Sequence, residues 1–323
     1  MMKLTTINGQ PISIGDKLVG QEEKNKLKEF LTTTKRMYQF YYKYNGESVE
    51  DIIDYNDTEY VEEIDYLYGY CTKLKSYPAI NTKNAKKISH YAYQASQNIK
   101  EVFLETDNAE DLSGLFNQTY FEKVKLSNTS KVKKMDYMFC VTRITESPEM
   151  DTSNVEIMNN MFNNTYSIKI VKSMDTRKVK NITYCFAGCS NIHTIEGVID
   201  LISIESVNNQ INLFYNCKLL ENVKLANIKW NLQLGSSNSW GHLLSLDSLI
   251  TACKECIMAD ETRTLTLGSV NISKIENIYV KFTDSSITTI SVGEKGEVEV
   301  CESTDEGAMT LIDYMNMKGW TVA

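Results

Sequence analysis

Cys253 and Cys256 form the sequence CKEC, and two thiols at that spacing can make a redox pair or half of a zinc site. No second pair follows and no Pro-bearing redox loop surrounds them. The stretch "LLSLDSLITACKECIM" (243–258) reads instead as an amphipathic helix with Leu246, Leu249, Ile250 and Cys253 turned inward, which makes both thiols packing residues. His90, His193 and His242 lie far apart, no pair of carboxylates stands out as acid and base, and no glycine-rich phosphate loop is present. No catalytic, cofactor-binding or metal-binding residue is therefore assigned, and a non-enzymatic chain is expected. Asn117, Asn163, Asn181 and Asn271 fit the Asn-X-Ser/Thr pattern, as expected by accident in an Asn-rich chain.

The remaining cysteines belong to a period. With Phe162 as reference, Val155, Met158 and Met161 precede it by seven, four and one residues, and Thr165 and Ile168 follow by three and six. The same frame recurs around Phe139, Phe116, Phe186 and Phe214, and more weakly around Tyr68 and Ala92, with Tyr93 a rival for the last. The anchors Tyr68, Ala92, Phe116, Phe139, Phe162, Phe186 and Phe214 are 24, 24, 23, 23, 24 and 28 residues apart. A period near 24 residues marks a solenoid, in which stacked units share one core and the anchors form a column. Cys185 and Cys189 fall on slots of this frame.

Each period has two halves. The anchor half has the spacing of a short helix, with Asn pairs on its outer side. The other half alternates, as in "FEKVKL", "IKIVKSM" and "LENVKLA", and reads as a short strand. Polar turns such as "DTSN" at Asp151 join them, their Asp, Thr or Ser capping the next helix. On the strands Lys123, Lys125, Lys169 and Lys224 alternate with inward apolar residues and are the candidate interaction face.

A net charge of −8 argues against binding duplex nucleic acid through phosphates. Nine acidic residues and no Lys or Arg lie between Glu47 and Asp65; six lysines and no Asp or Glu lie between Lys73 and Lys100. Such blocks are either solvated faces or a contact between neighbouring subunits. Ten of nineteen tyrosines lie between Tyr38 and Tyr77, either as core replacements or as an interface. The opening "MMKLTTINGQPISIG" has no apolar core of a secretion signal, and no stretch is long enough for a membrane span.

"MDTSNVEIMNNMFNNTYSI" and "MDTRKVKNITYCFAGCSNI" resemble the BspA-type leucine-rich repeat, with Asp151, Thr152, Ser153, Asn154, Val155, Met158, Met161 and Phe162 on its motif and Cys189 and Cys217 in its Cys slot. Thr119, Thr142 and Thr165 replace that Cys. The resemblance spans about residues 47–242 and implies an α/β solenoid of short strands and short helices in a surface or adhesion protein that binds rather than catalyses. "TRTLTLGSVNISKI" and "STDEGAMTLIDYMNMKGWTVA" resemble the tails of structural proteins of gut bacteriophages, including crAss-like phages.

The expected organisation is an arm or hairpin at 1–20, a helical cap at 21–46 with its helix over 21–44, the leucine-rich-repeat solenoid at 47–242, and an α/β capping module at 243–323. That module has strands at 264–268, 288–293 and 297–300, a helix from about Asp305 to Met317 stopped by Gly319, and a final strand at Trp320–Val322. The resemblances imply a virion structural protein, a tail, fibre or decoration component assembled in the host cytoplasm. Its expected partners are other virion proteins in a symmetric or homo-oligomeric assembly, and a host-surface glycan or protein, with no nucleic acid and no membrane insertion. The alternative is a bacterial cell-surface adhesin of the BspA type.

Overall fold

A computed structural model describes residues 21–41, 58–77, 80–95, 97–205, 210–234, 244–259 and 261–323. The expected arm at 1–20 and His242 lie outside them. The chain divides into two compact units, Met1–Ser167 and Ile168–Ala323.

The first unit opens with α1 (Gln21–Thr34), which buries Leu27 and Leu31. The helix expected over 21–44 ends ten residues early. Thr32, Thr33 and Thr34 donate their hydroxyls to carbonyls four residues back, and Lys35 turns left-handed at φ 57. The chain then becomes β1 (Arg36–Tyr38), and Met37, Phe40 and Tyr41 are buried in a first coil. β1 pairs in parallel with β2 (Glu63–Asp65), and β2 with β3 (Lys87–Ser89). Parallel bridges Lys87–Asp111, Asp111–Lys134 and Lys134–Ile157 continue this ladder, and on another stretch of the coils β4 (Glu101–Leu104) pairs in parallel with β5 (Lys123–Leu126).

Between these ladders the anchor half of each coil is a run of turns rather than the expected short helix. The reason is visible in the backbone dihedrals. The residues two before and two after each anchor are left-handed: Tyr66 and Tyr70, His90 and Gln94, Gly114 and Gln118, Tyr137 and Val141, Asn160 and Asn164. Alternate N–H groups then serve different partners. Leu112, Gly114, Phe116 and Gln118 donate to Lys134, Asp136, Met138 and Cys140 of the next coil at 2.7–2.9 Å, while Leu115, Asn117 and Thr119 close turns three residues back. Met135, Tyr137, Phe139 and Val141 repeat the pattern toward Ile157, Asn159, Met161 and Asn163. Other coils carry Tyr, His or Asn in this slot; Gly114 takes φ +67 without a Cβ penalty and leaves room for the His90 ring, whose Nε2 would lie 2.8 Å from an added Cβ.

Buried threonines tie the turns together. Thr82, Thr106 and Thr129 donate their hydroxyls to the carbonyls of Glu105, Asn128 and Asp151, one coil on, at 2.6–2.9 Å. In the turns expected to cap short helices, Asp151 and Asp175 accept the Ser153 and Arg177 N–H groups at 3.0 and 3.1 Å, but no helix follows. Inside, Phe116 stacks on Phe139 at 5.6 Å and Phe139 on Phe162 at 5.3 Å.

The second unit has β6 (Ile170–Val171), β7 (Thr194–Asp200), β8 (Gln210–Ile211), β9 (Asn222–Ala226) and β10 (Asn231–Gln233), then α2 (Leu246–Glu255) and β11 (Arg263–Thr266). α3 (Ser269–Ile275), β12 (Tyr279–Phe282), β13 (Val298–Cys301), β14 (Met309–Thr310), α4 (Leu311–Met317) and β15 (Trp320–Val322) complete it. Parallel sheets run β6-β7-β9 and β15-β11-β10-β8; β13-β12-β14 is antiparallel. Thr176 donates to the Asp200 carbonyl at 2.9 Å, and Phe186 stacks on Phe214 at 5.6 Å.

Three expectations for the C-terminal region are corrected. Residues 288–293 are not a strand: Ile290 alone among them is buried, and Ser291–Glu294 closes a turn whose Gly293 N–H bonds to Met258. The last helix starts at Leu311 because Thr310 caps it, accepting from the Asp313 N–H at 3.0 Å. Leu246 is exposed, since Ser245 caps α2 and turns Ser248, Leu249, Ala252 and Cys253 inward.

Phe139→Ala is expected to cost about 3–5 kcal/mol and Thr129→Val, which removes the hydroxyl bond to the Asp151 carbonyl, about 0.5–1.5 kcal/mol, in denaturant unfolding followed by circular dichroism. A loss for Phe139→Ala below about 1 kcal/mol would refute the stacked register.

Candidate interaction surface

The seven anchors are core. Tyr68, Phe116, Phe139, Phe162, Phe186 and Phe214 are fully buried, and so is Ala92. Ala92 holds the register position, since the Tyr68 N–H bonds to the Tyr91 carbonyl just before it, but it contributes no ring. Tyr77 fills the gap, stacked on Tyr68 at 4.5 Å with its edge toward Tyr91 and Phe121 at 6.0 Å. The rival Tyr93 lies half-buried on the outside.

The slot three residues after the anchor accepts Thr or Cys because both are small donors. Thr119 and Thr142 donate to their own anchor carbonyls at 2.9 and 3.0 Å; Thr165 donates to the Phe139 carbonyl of the previous coil at 2.5 Å. Cys71 and Cys217 reach the previous anchor carbonyls, of Tyr41 and Phe186, at 2.7 and 2.9 Å.

The candidate lysines divide between the two units. Lys123 pairs with Glu101 at 2.8 Å on the neighbouring strand, and Lys125 is exposed on the same strand. In the second unit Lys169 is exposed and Lys224 lies 3.6 Å from Asp247. Sequence reasoning missed a more regular charge ladder, in which the residue before each strand or bridge alternates in sign: Lys35, Glu62, Lys86, Glu110, Lys133, Glu156. Each N–H in this column bonds to the preceding carbonyl at 2.8 Å. Glu62 bridges Lys35 at 2.6 Å and Lys86 at 2.9 Å, and hydrogen bonds to these ammoniums hold its carboxyl at about 2. The acidic and basic blocks thus meet within the chain at Glu62 and Lys86. The 23–27-residue spacing of alternating charges was the available signal.

Part of the tyrosine cluster lies on the outer turns. The His90 ring stacks on Tyr66 at 4.4 Å, Tyr93 sets its edge against Tyr66, Tyr70 and His90 at 5.5–5.7 Å, and His90 Nδ1 lies 3.2 Å from Asp65. All four rings are half-buried. Tyr137 and Tyr166 stand further out, at 42% and 52% exposure.

All eight cysteines are free. Cys253 and Cys256 are buried; burial pushes Cys253 up to about 12 and Cys256 well above the ordinary thiol value. Among the described residues no group of three or more His, Cys, Asp or Glu could hold a metal, and no helix is long and apolar enough to cross a membrane. Of the Asn-X-Ser/Thr sites, Asn271 is buried inside α3.

A family model described as "Mycoplasma protein of unknown function, DUF285" matches residues 32–148, 82–196 and 141–238. The chain belongs to this family. The DUF285 matches overlap by shifting along the period, as a repeat family must, and they support the BspA-like resemblance. They stop at residue 238, before both phage-like segments, and that part of the resemblance has no support. No curated protein and no solved structure matches the chain.

One buried cation was not foreseen. Lys318, fully buried beside the two thiols, donates to the Lys254 carbonyl at 3.1 Å and the Tyr314 hydroxyl at 3.3 Å, with its ammonium 4.6 Å from the Tyr314 ring centre. Desolvation lowers it to about 8, against the opposing pull of Cys256, Cys253 and Glu255. Its folded pKa lies below its unfolded value of about 10.5. The unfolded chain therefore holds the extra proton between these limits, and this group's contribution rises with pH from about 8 to about 10.5.

Two outcomes follow. A thiol reagent should modify the half-exposed Cys301 quickly in the native protein and the other seven cysteines only on unfolding; fast double modification of Cys253 and Cys256 would revive the redox reading. The stability of Lys318→Met relative to the parent, by thermal melts, should fall by at most about 3 kcal/mol as pH rises from 8 to 10. An unchanged gap would show that Lys318 is not desolvated.

Proposed function

We propose that this chain is a non-enzymatic binding scaffold of the BspA type that works at a bacterial surface. One observation carries the reading. The coils spend their buried residues on locking one another together, through cross-coil N–H bonds, threonine hydroxyls and stacked rings. What remains outside is a stiff array of repeated slots bearing Tyr, His, Gln and Asn at fixed spacing. Such a surface suits recognition, because little side-chain or backbone freedom is lost on binding. Fold alone does not assign the activity, so the proposal rests on these exposed slots and on the BspA-like family.

A virion role is the second reading, with other particle proteins as partners in a symmetric assembly. It rests on the resemblance of residues 303–323 alone, a segment the family match does not reach.

Quantitative proteomics separates the two. Brief protease treatment of intact producing cells should release peptides of this chain, and density-purified phage particles from the same culture should lack it. Stoichiometric recovery with capsid and tail proteins would overturn the surface assignment. Binding of the purified chain to intact cells should weaken when Tyr66 and Tyr93 are both changed to Ala; undiminished binding would move the contact elsewhere.

A further inference from the structure

Within the first unit a groove of about 320 Å³ opens on the outer turns, at the low end of small-ligand sites. Its rim comes from successive coils. Gln94 and Gln118 occupy the same left-handed slot of adjacent coils, at φ 46 and 54, and Gln94 Nε2 donates to Gln118 Oε1 at 2.5 Å. That bond leaves an amide oxygen on Gln94 and an amide N–H₂ on Gln118. Tyr120 and Tyr166 line the groove, the first half-buried and the second 52% exposed. Arg143 lies with its guanidinium carbon 4.7 Å from the Tyr120 ring centre. It is the one charged residue lining the groove and makes no ion pair among the described residues.

We propose that this groove binds an acidic saccharide, a sugar ring carrying a carboxylate. The inference rests on the binding-scaffold reading and names its ligand. Each feature matches one part of such a ligand. Stacking against Tyr120 holds the guanidinium plane and leaves N–H groups on its edge for a carboxylate, the geometry arginine serves best. The amide pair presents an acceptor and a donor side by side, which suits ring hydroxyls that both donate and accept. The exposed Tyr166 face offers an apolar platform with a polar tip for the C–H face of a sugar. Thr119 and Thr142 on the floor already donate to carbonyls, so specificity resides in the rim.

The rim is held in place before any ligand arrives. The Gln94 N–H bonds to the Gln118 carbonyl at 3.0 Å, Gln118 to Cys140 at 2.8 Å and Val141 to Asn163 at 2.9 Å. A neutral sugar would leave Arg143 unused. An acidic peptide would pair its own backbone with the amides, and competition separates it from a sugar.

The test uses the full chain with sialyllactose, a glucuronate-ended disaccharide and lactose as probes, by saturation-transfer NMR and calorimetry. At least one acidic probe should bind and lactose should bind far more weakly. Arg143→Gln should weaken the acidic probe by roughly tenfold or more while leaving lactose unchanged. Tyr166→Ala should weaken both. Both side chains are solvent-exposed, and unchanged melting temperatures will confirm folding. Absence of binding by every acidic sugar overturns the inference, as does inorganic phosphate or an acidic peptide competing as well as the sugars. Cell binding that persists without sugar binding would remove the saccharide and leave the scaffold reading. Loss of cell binding in the parent chain alongside intact sialyllactose binding would do the reverse.

Discussion

Every second N–H in the turn half of a coil points along the stacking direction to a carbonyl of the next coil, and the rest of the architecture depends on that alternation. It holds because the residues flanking each anchor of the first unit by two positions adopt the left-handed region. L-residues enter that region at a cost of about 1–2 kcal/mol each. The cost is offset in the first unit by cross-coil bonds at 2.7–3.3 Å that satisfy backbone groups which would otherwise be stranded in a buried turn. A helix would have bonded within its own coil and left this half of the stack held by side chains alone, with only the strand ladders joining the backbones.

Several side-chain choices follow from this geometry. The paired Asn around Phe162 include Asn160 and Asn164, the residue type that tolerates left-handed backbone best after glycine. Buried threonines carry hydroxyl bonds to turn carbonyls of the next coil, Thr106 to Asn128 and Thr129 to Asp151. The Thr and Cys slot works with either residue, as each can donate to an anchor carbonyl from a small volume. Where Ala92 removes a ring, Tyr77 enters the space, so the column is kept filled by a residue outside the repeat frame. The alternating charges before the strands add pairing between coils, and at full exposure such pairs set register more than stability.

These constraints bear on function by dividing the labour of the chain. The inward slots are committed to packing and cross-coil bonding, while the outward left-handed slots are free to vary in side chain without disturbing the ladder. That is why Tyr66, His90, Tyr137 and Asn160 can share one structural position. The two thiols whose spacing could do chemistry fall on the committed side, with Cys253 and Cys256 in the core.

The period, the anchor slots and the strand residues that face inward were all legible in the sequence, because burial of an apolar face imposes a repeat that composition cannot hide. So were the strand at Trp320–Val322 and the break at Gly319. The left-handed turns were not legible, since the spacing that marks a helical face also suits a coil whose alternate residues turn inward. The early end of α1 depended on where Met37 and Tyr41 could be buried, which the chain's own pattern leaves open. Only the stacked structure decided which residues of different coils meet: Glu62 with Lys86, Tyr77 with the gap at Ala92, and Gln94, Gln118, Tyr120, Arg143 and Tyr166 around one groove. The same holds for Lys318, whose burial beside two thiols arises from the packing of α4 against α2. Local sequence sets what each slot prefers, and the backbone bonds between coils set which slots become neighbours.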